Sequence, residues 1–217
     1  MHQTANINNI NKRRGLLFIL SSPAGAGKTS LANRLNEEDS ELELSVSTTT
    51  RPPRNGEING KHYNFIDRAT FETQRSEGEF LEWAEVFGNL YGTPKTPIEA
   101  ALTEGRDVIS DIDWQGAQKA VKVLPNDVVP VFLLPPSRQT QIERLRTRAT
   151  DSDEVLARRL AGSAEEISHW EEYDYVLVND DFETTLTSLR HILSAERLKR
   201  KRRLGLASLV QELMHSG

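Results

Sequence analysis

One ten-residue stretch constrains the fold of this chain more than any other: SSPAGAGKTS, residues 21–30. It follows the apolar run LLFIL at residues 16–20 and precedes a helical pattern from Lys28 to Asn36. A strand, a glycine-rich turn that ends in Lys and Ser or Thr, and a helix together form a phosphate-binding loop, whose backbone N–H groups surround phosphate oxygens. The stretch therefore predicts an α/β fold with a phosphate site at the start of its first helix.

The residue types in this loop each have a chemical reason. Gly25 and Gly27 allow backbone conformations that other residues avoid, and they let the chain approach an anion closely. Lys28 would reach the β- and γ-phosphates, and Thr29 would offer its hydroxyl to Mg²⁺. Ser22 replaces the first glycine of the strict motif, which costs on the order of 1 kcal/mol only if that position requires a positive φ. A chance glycine-rich turn is the alternative. The predicted ATP-binding residues of the loop are Ser22, Pro23, Ala24, Gly25, Ala26, Gly27, Lys28, Thr29 and Ser30.

A second metal ligand is expected at the end of a neighbouring strand. Asp111 ends the apolar part of DVISDID and is predicted to hold Mg²⁺ directly or through water. A helix-capping aspartate is the alternative for Asp111 taken alone. DWQG, residues 113–116, could be a GTPase switch, but the chain contains no Asn-Lys-x-Asp motif for reading the base. That absence disfavours a GTPase.

Composition narrows the class of protein. The 217 residues have a formal charge of −5 and no cysteine, which excludes disulfides, a thiolate nucleophile and cysteine-ligated zinc. An acidic chain is not expected to bind nucleic acid generally, because phosphate contacts need many Lys and Arg residues on one face. The first apolar run is too short for a signal peptide, and no run reaches the roughly 18 residues of a membrane span. We therefore predict a cytoplasmic protein without membrane or nucleic-acid partners.

Strands alternate with helices along most of the chain, which predicts a mostly parallel sheet with helices on both faces. The predicted strands are residues 16–20, 108–112, 128–134 and 175–178. The predicted helices are residues 28–36, 96–104, 114–123, 137–147 with Ser137 as N-cap, 153–172, and a last one from Phe182 onward. Residues 44–95 are rich in glycine, β-branched and aromatic residues, and we interpret them as an inserted mixed subdomain with one helix at 68–77.

Two arginines flank two prolines in TTTRPPRNGE, residues 48–57. Polyproline geometry has three residues per turn, so Arg51 and Arg54 lie on one side of the segment. Two guanidinium groups on one side can bind a single phosphate dianion. A stiff surface loop with unrelated charges, or a proline-rich ligand for another domain, is the alternative at this point.

Taken together, these motifs resemble the guanylate kinase family from Arg14 to about Leu193. The segments that carry the resemblance are SSPAGAGKTS, SVSTTTRPPRNGEINGKHYNF, FLEWAEVFGNLYGT, DVISDIDWQG, IERLRTR and YVLVNDD. Several independent motifs in the same order are far more specific than a phosphate loop alone. The resemblance implies a P-loop kinase that transfers the γ-phosphoryl group of ATP to GMP, and also to dGMP, with Mg²⁺.

The resemblance also implies roles for individual residues. The GMP phosphate would be held by Arg51, Arg54, Tyr63 and Tyr91, and guanine would be read by Ser47, Glu82, Thr93 and Asp113. The catalytic cations would be Lys28, Arg51, Arg144, Arg148 and Arg159, and the metal ligands Thr29 and Asp111. Asn179 would contact the adenine side of ATP. Without the family, Glu82 would be interpreted as a surface strand residue, the two tyrosines as core packing, and the last three arginines as helix charge pairs.

The predicted organisation follows from these assignments. The chain is divided into a disordered leader at 1–13, a core at 14–43 and 96–200, a GMP-binding insert at 44–95, a lid at 144–159 within the core, and a helical tail at 201–217. The basic run ERLKRKRR, residues 196–203, is interpreted as a solvated helix face rather than a basic patch. Ala149 stands where the family commonly has glycine, which predicts a stiffer lid hinge.

Two other classes of function stay open. A guanylate kinase-like binding module would use the GMP-side groove for a partner peptide, but the intact Lys28, Thr29 and Asp111 disfavour it. A kinase for a different small phosphorylated acceptor is disfavoured by Glu82 together with Ser47. The sequence does not give the oligomeric state, and a homodimer is only one option.

Overall fold

The computed structural model describes residues 12–86, 88–148 and 153–215. The strands found there are β1 Leu17–Ser21, β2 Leu42–Leu44, β3 Thr48–Thr49, β4 Asn64–Phe65, β5 Phe80–Val86, β6 Asn89–Pro94, β7 Asp107–Ser110, β8 Val128–Leu134 and β9 Tyr175–Val178. The α-helices are α1 Lys28–Glu38, α2 Arg68–Ser76, α3 Lys95–Thr103, α4 Trp114–Val123, α5 Arg138–Arg148, α6 Asp153–Ser168, α7 Phe182–Arg197 and α8 Leu206–His215.

Five strands form a parallel sheet in the order β2-β7-β1-β8-β9. The central strand β1 shows why the sheet is apolar on both faces. Its Phe18 belongs to one buried cluster, which includes leucines of α1 and α7. Its Ile19 belongs to a second cluster, which includes apolar residues of α3 and α4. Because successive side chains of a strand point to opposite faces, both faces of the sheet are covered by helices. The predicted α/β architecture is confirmed.

Several element boundaries differ from the prediction by one or two residues, and three further differences concern a missed strand, the position of Asp111 and the end of α6. The short edge strand β2 was not predicted, because three residues are too few to show a strand period. The strand predicted to end at Ile112 ends at Ser110, so Asp111 follows the strand. The helix predicted to run to Glu172 ends at Ser168, and a 3-10 turn follows at Trp170–Glu172, where His169 stacks on Trp114.

A second, mixed sheet lies within the predicted insert, in the order β4-β3-β6-β5. Strands β3 and β4 are parallel, whereas β3 and β5 each pair antiparallel with β6. Helix α2 begins after Asp67, whose side chain accepts a hydrogen bond from Thr70 N at 2.8 Å. Its Phe71 stacks on Phe80 of β5 at 4.4 Å between ring centroids. The insert therefore has a small apolar centre of its own.

Helix α5 also starts as predicted, with Ser137 Oγ accepting from Thr140 N at 3.0 Å.

A buried ion-pair network lies at the amino ends of the parallel strands, opposite the phosphate loop. Asp107, at the start of β7, is fully buried and accepts hydrogen bonds from Arg13 Nη1 at 2.5 Å and Arg197 Nε at 2.6 Å. Arg13, which we assigned to the leader, is thus part of the folded structure. Lys12 of that predicted leader is also described, with its backbone oxygen accepting from Leu204 N at 3.0 Å, and residues 1–11 lie outside the described residues.

The interpretation of residues 196–203 as a solvated helix face is wrong for two of its arginines. Arg202 is only 1% exposed and lies with its Nη2 3.6 Å from Glu196 Oε2. Arg197 is mostly buried against Asp107 and Asp39. These cations are retained in the interior because carboxylates pair with them, and a period-based prediction contains no information on such partners. None of the helices in the described part of the chain has the length and apolar character needed to cross a membrane.

Candidate active site

The phosphate loop lies between β1 and α1, at the carboxyl edge of the parallel sheet. Gly25 and Gly27 have φ angles of 83° and 93°, in the left-handed region that favours glycine. A Cβ atom at Gly27 would lie 2.6 Å from Asn179 Nδ2, so this position is restricted by space as well as by conformation. Because α1 begins at Lys28, the free N–H groups of its first turn are presented at the loop. The loop therefore has the geometry of an anion-binding site.

Three predicted residues meet beside this loop. Lys28 Nζ donates to the backbone oxygen of Asp111 at 3.0 Å and to that of Ile112 at 3.4 Å. Thr29 Oγ1 donates to Asp111 Oδ2 at 2.9 Å. The capping role considered for Asp111 belongs instead to Asp113, whose Oδ1 accepts from Gly116 N at 2.8 Å at the start of α4.

The pair formed by Thr29 and Asp111 is the candidate metal site. A hydroxyl and a carboxylate are hard oxygen ligands of the kind Mg²⁺ takes, and Mg²⁺ commonly uses one or two protein groups and completes its shell with phosphate and water oxygens. Within residues 12–86, 88–148 and 153–215, no cluster of three or more His, Cys, Asp or Glu residues could hold a metal ion. The residues present therefore fit a Mg²⁺ that is bound together with a nucleotide.

Asn179 supports the phosphate loop from the end of β9. It is 3% exposed, and its Nδ2 donates to Ala26 O at 2.7 Å, while its Oδ1 is buried with no hydrogen-bond partner among the described residues. Arg144 Nη1 donates to Asn179 O at 2.9 Å. A cleft of about 410 Å³ opens here, next to the loop. Its lining residues are Gly25, Gly27, Ser30, Glu143, Arg144, Asn179 and Phe182. Phe182, an aromatic group in this wall, carried no functional signal in the sequence.

Helices α5 and α6 are tied to the loop by a residue that the motifs did not reveal. Gln141 is 1% exposed, and its Nε2 donates to Ala24 O at 2.7 Å and to Ser163 Oγ at 3.0 Å. Arg159 and Glu166, both on α6, line the pocket of the phosphate loop. Burial raises the pKa of Glu166, although Lys28 acts in the opposite direction. The side chain of Arg148 and the whole of Ala149 lie outside the described residues.

The residues predicted to bind the phosphate lie in the insert, where Arg51, Tyr63 and Tyr91 are neighbours. The guanidinium carbon of Arg51 lies 5.2 Å from the ring centroid of Tyr63, and Tyr63 and Tyr91 meet edge to face at 6.1 Å. Glu57, which sequence reasoning missed, pairs with both terminal nitrogens of Arg51 at 2.7 Å. It also accepts from the backbone N–H of Arg54 at 2.6 Å. Four of these five residues are the ones that the family resemblance assigned to one phosphate.

The predicted guanine pocket is centred on a partly buried carboxylate. Glu82 of β5 lies opposite Thr93 of β6 and accepts from its Oγ1 at 2.5 Å. Burial raises the pKa of Glu82, the nearby Asp113 raises it further, and the Thr93 hydrogen bond and Lys119 oppose these effects. Ser47, by contrast, contacts Asn64 through its backbone: the Ser47 backbone oxygen accepts a hydrogen bond from Asn64 N at 2.8 Å. The structure therefore brings Glu82, Thr93 and Asp113 together.

The chain is similar to known proteins over most of its length. The guanylate kinase family model matches residues 14–196. The guanylate kinase of Sphingopyxis alaskensis is 54% identical over 204 residues, which cover 94% of this chain and 93% of that protein. The guanylate kinase of Zymomonas mobilis is 50% identical over 202 residues, which cover 93% of this chain and 94% of that protein. The crystal structure of guanylate kinase from Anaplasma phagocytophilum superposes with a TM-score of 0.75 at 42% identity, covering 94% of this chain and 97% of that one.

Proposed function

Because the chain belongs to the guanylate kinase family, we propose that the phosphate loop binds ATP and that the insert binds GMP in the orientation needed for direct phosphoryl transfer. The family membership predicted from the motifs is confirmed. The protein is a nucleoside monophosphate kinase, which converts ATP and GMP into ADP and GDP. The observation that supports the residue assignments is that Tyr63, beside Arg51, lies near Asp111: burial raises the pKa of Tyr63, and the charge of Asp111 raises it further.

On the acceptor side, the four residues predicted to bind the phosphate form a clamp for the GMP phosphate, and the carboxylate of Glu82 selects the base. Arg51 and Arg54 supply charge-assisted hydrogen bonds to phosphate oxygens, and the Tyr63 and Tyr91 hydroxyls add neutral ones. Glu82 accepts from the adjacent N1–H and N2–H₂ donors of guanine. Adenine lacks that donor pair, so a bound adenine would leave a buried, unpaired carboxylate, which is a large penalty. Thr93, Asp113 and Ser47 complete the proposed guanine contacts.

The chemistry requires alignment and charge neutralisation rather than a general base. The attacking group is a GMP phosphate oxygen, which is already anionic near neutral pH. Lys28, Arg144 and Arg159 would neutralise charge on the phosphoryl group, and Arg148 completes the set that the family implies. Thr29 and Asp111 would hold Mg²⁺, which when bound neutralises charge on the ATP phosphate oxygens. The Asn179 end of the loop borders the cleft proposed for adenine.

Several finer statements belong to the same proposal. We propose that dGMP is also accepted, because none of the proposed acceptor contacts uses the ribose 2′-hydroxyl. The insert at 44–95 and the lid at 144–159 are proposed as the two segments that close on the nucleotides. A cytoplasmic location and a homodimer stay predictions.

A coupled ADP-release assay with ATP and Mg²⁺, offering GMP, AMP, CMP and UMP in parallel, tests the proposal. We expect turnover with GMP and little with the other three nucleotides. Equal turnover with AMP would contradict the guanine assignment of Glu82. Binding of GMP without turnover of any nucleotide would favour the binding-module alternative.

Replacing Arg51 with alanine is expected to raise the KM for GMP about 10- to 50-fold, because it removes charge-assisted hydrogen bonds to the phosphate. The KM for ATP should change little. Initial rates at varied GMP and saturating ATP measure the effect. Arg75→Ala is the matched control, since Arg75 is also in the insert but contacts Trp83. Unchanged values of both KM and kcat for Arg51→Ala would contradict the clamp.

Affinity for the guanine base is expected to fall as the pH is lowered below neutrality. Glu82 must be ionised to accept two donors, and its raised pKa means that protonation begins at a higher pH than for an ordinary glutamate. Guanosine is the appropriate ligand because it has no phosphate that titrates in the same range. Calorimetric titration of guanosine at several pH values measures the effect, with Glu82→Gln as the reference. An affinity independent of pH in the unmodified protein would contradict the assignment.

A further inference from the structure

Glu57 contacts both arginine segments of the phosphate clamp. Its two carboxylate oxygens accept from Arg51 Nη1 and Nη2, both at 2.7 Å, and Oε2 also accepts from Arg54 N. A carboxylate so placed has two opposite roles open to it. It can occupy the arginine in competition with a phosphate, or it can orient the arginine toward one. The hydrogen bonds of Arg51 decide between them.

A guanidinium group has five N–H donors, arranged along fixed edges. In Arg51 two donors on the terminal edge go to Glu57, and a further Nη1 donor goes to Pro52 O at 2.8 Å. The remaining donors are Nε–H and the second Nη2–H, which lie side by side on another edge. The Glu57 carboxylate raises the pKa of Arg51 and the Tyr91 hydroxyl raises it further, which indicates that Tyr91 lies beside the guanidinium. Among the described residues, the Nε and Nη2 edge is therefore not bonded to Glu57 or Pro52 and lies next to Tyr91, which the proposed function also assigns to the phosphate.

The surrounding rings restrict the guanidinium in a different way. The guanidinium carbon of Arg51 lies 5.2 Å from the ring centroid of Tyr63 and 5.6 Å from that of Phe65. Ring contacts hold the plane of a guanidinium but allow it to turn within that plane. The bidentate pair with Glu57 prevents that turn. Arg51 is consequently ordered before a ligand arrives, which lowers the entropy lost on binding.

We propose that Glu57 is a positioning residue, which directs the Nε and Nη2 edge of Arg51 toward the phosphate of the acceptor nucleotide. The inference rests on the proposed function, in which Arg51 binds that phosphate. Arg51 lowers the pKa of Glu57 to about 2, so the carboxylate stays ionised at every pH at which the enzyme would be assayed.

The main test is Glu57→Gln, which keeps the length of the side chain and one oxygen for the Arg54 N–H but loses the bidentate pair. We expect the KM for GMP to rise about tenfold with kcat within about twofold, and the affinity for guanosine to stay unchanged. A KM for GMP that is unchanged or lower would overturn the proposal. If Glu57 competed with the phosphate for Arg51, its removal would strengthen phosphate binding. Glu72→Gln is the control, since Glu72 pairs with Arg68 on the surface of the same insert.

Two further variants separate positioning from loop closure and from charge alone. Glu57→Asp keeps the charge but is one methylene shorter, so a positioning role predicts a raised KM for GMP, and wild-type kinetics would overturn it. In an Arg51→Ala background, Glu57→Gln should add no further loss, because its effect acts through Arg51. If Glu57→Gln raised the KM for GMP in that background as much as in the unmodified protein, its effect would not act through Arg51. Glu57 would then only hold the loop of residues 51–57 through Arg54 N, and the proposal would be overturned.

The same set of variants distinguishes a failure of this inference from a failure of the proposed function. If Arg51→Ala weakens GMP binding while Glu57→Gln does not, the clamp stands and the positioning role is wrong. If Arg51→Ala leaves GMP binding intact, the clamp itself is wrong and the positioning role with it. Thermal unfolding of each variant shows whether the insert is still folded.

Discussion

Replacing Lys28 with alanine is expected to lower kcat about 100-fold or more at saturating ATP and GMP, because it removes a positive charge directed at the transferring phosphoryl group. In the structure Lys28 Nζ is held by the backbone oxygens of Asp111 and Ile112, at the edge of the phosphate loop. No carboxylate of the described residues forms an ion pair with Lys28, so its charge is available to the transition state.

Steady-state rates at varied ATP and GMP measure this effect. Lys95→Ala is the matched control, because Lys95 lies at the start of α3 and pairs with Glu99 on the surface. We expect the control to retain kcat within about twofold, as is usual for surface substitutions. Turnover of Lys28→Ala close to that of the unmodified enzyme would contradict the catalytic role of Lys28.

Replacing Glu82 with glutamine is expected to lower kcat/KM for GMP about 10²- to 10³-fold, because the remaining oxygen can accept from only one guanine donor and the amide nitrogen faces the other. The same variant should be more stable than the unmodified protein at neutral pH. The pKa of Glu82 is higher in the folded protein than the ordinary value, so the ionised form is destabilised by folding at every pH above the folded pKa. Glutamine removes that cost.

Both effects are measurable on one preparation, as kcat/KM for GMP and as the thermal unfolding temperature at pH 7. Glu85→Gln is the control, since Glu85 is on the same strand but pairs with Arg68 at the surface. A Glu82→Gln enzyme that keeps its kcat/KM for GMP would contradict the guanine assignment. A loss of both activity and stability would instead indicate a structural role.

Much of the fold and part of the site could be predicted because their signals are local. The apolar runs, the left-handed glycines and the helix after them lie within consecutive residues, so composition and period are sufficient to identify them. Lys28, Thr29 and Asp111 were found together because the carboxyl ends of neighbouring parallel strands meet at one edge of a sheet. The short strand β2 was missed because it has too few residues to show a period.

The sequence by itself determined the α/β class, the phosphate loop and the family. Only the tertiary structure decided that Gln141 binds Ala24 and that Arg202 is buried near Gly15. It also decided which edge of the Arg51 guanidinium is bonded to Glu57. The first two contacts join residues 117 and 187 positions apart. The third depends on which N–H donors of Arg51 are bonded to the Glu57 carboxylate. Such contacts follow from the packing of whole elements and the orientation of individual bonds, and neither leaves a periodic trace in the chain.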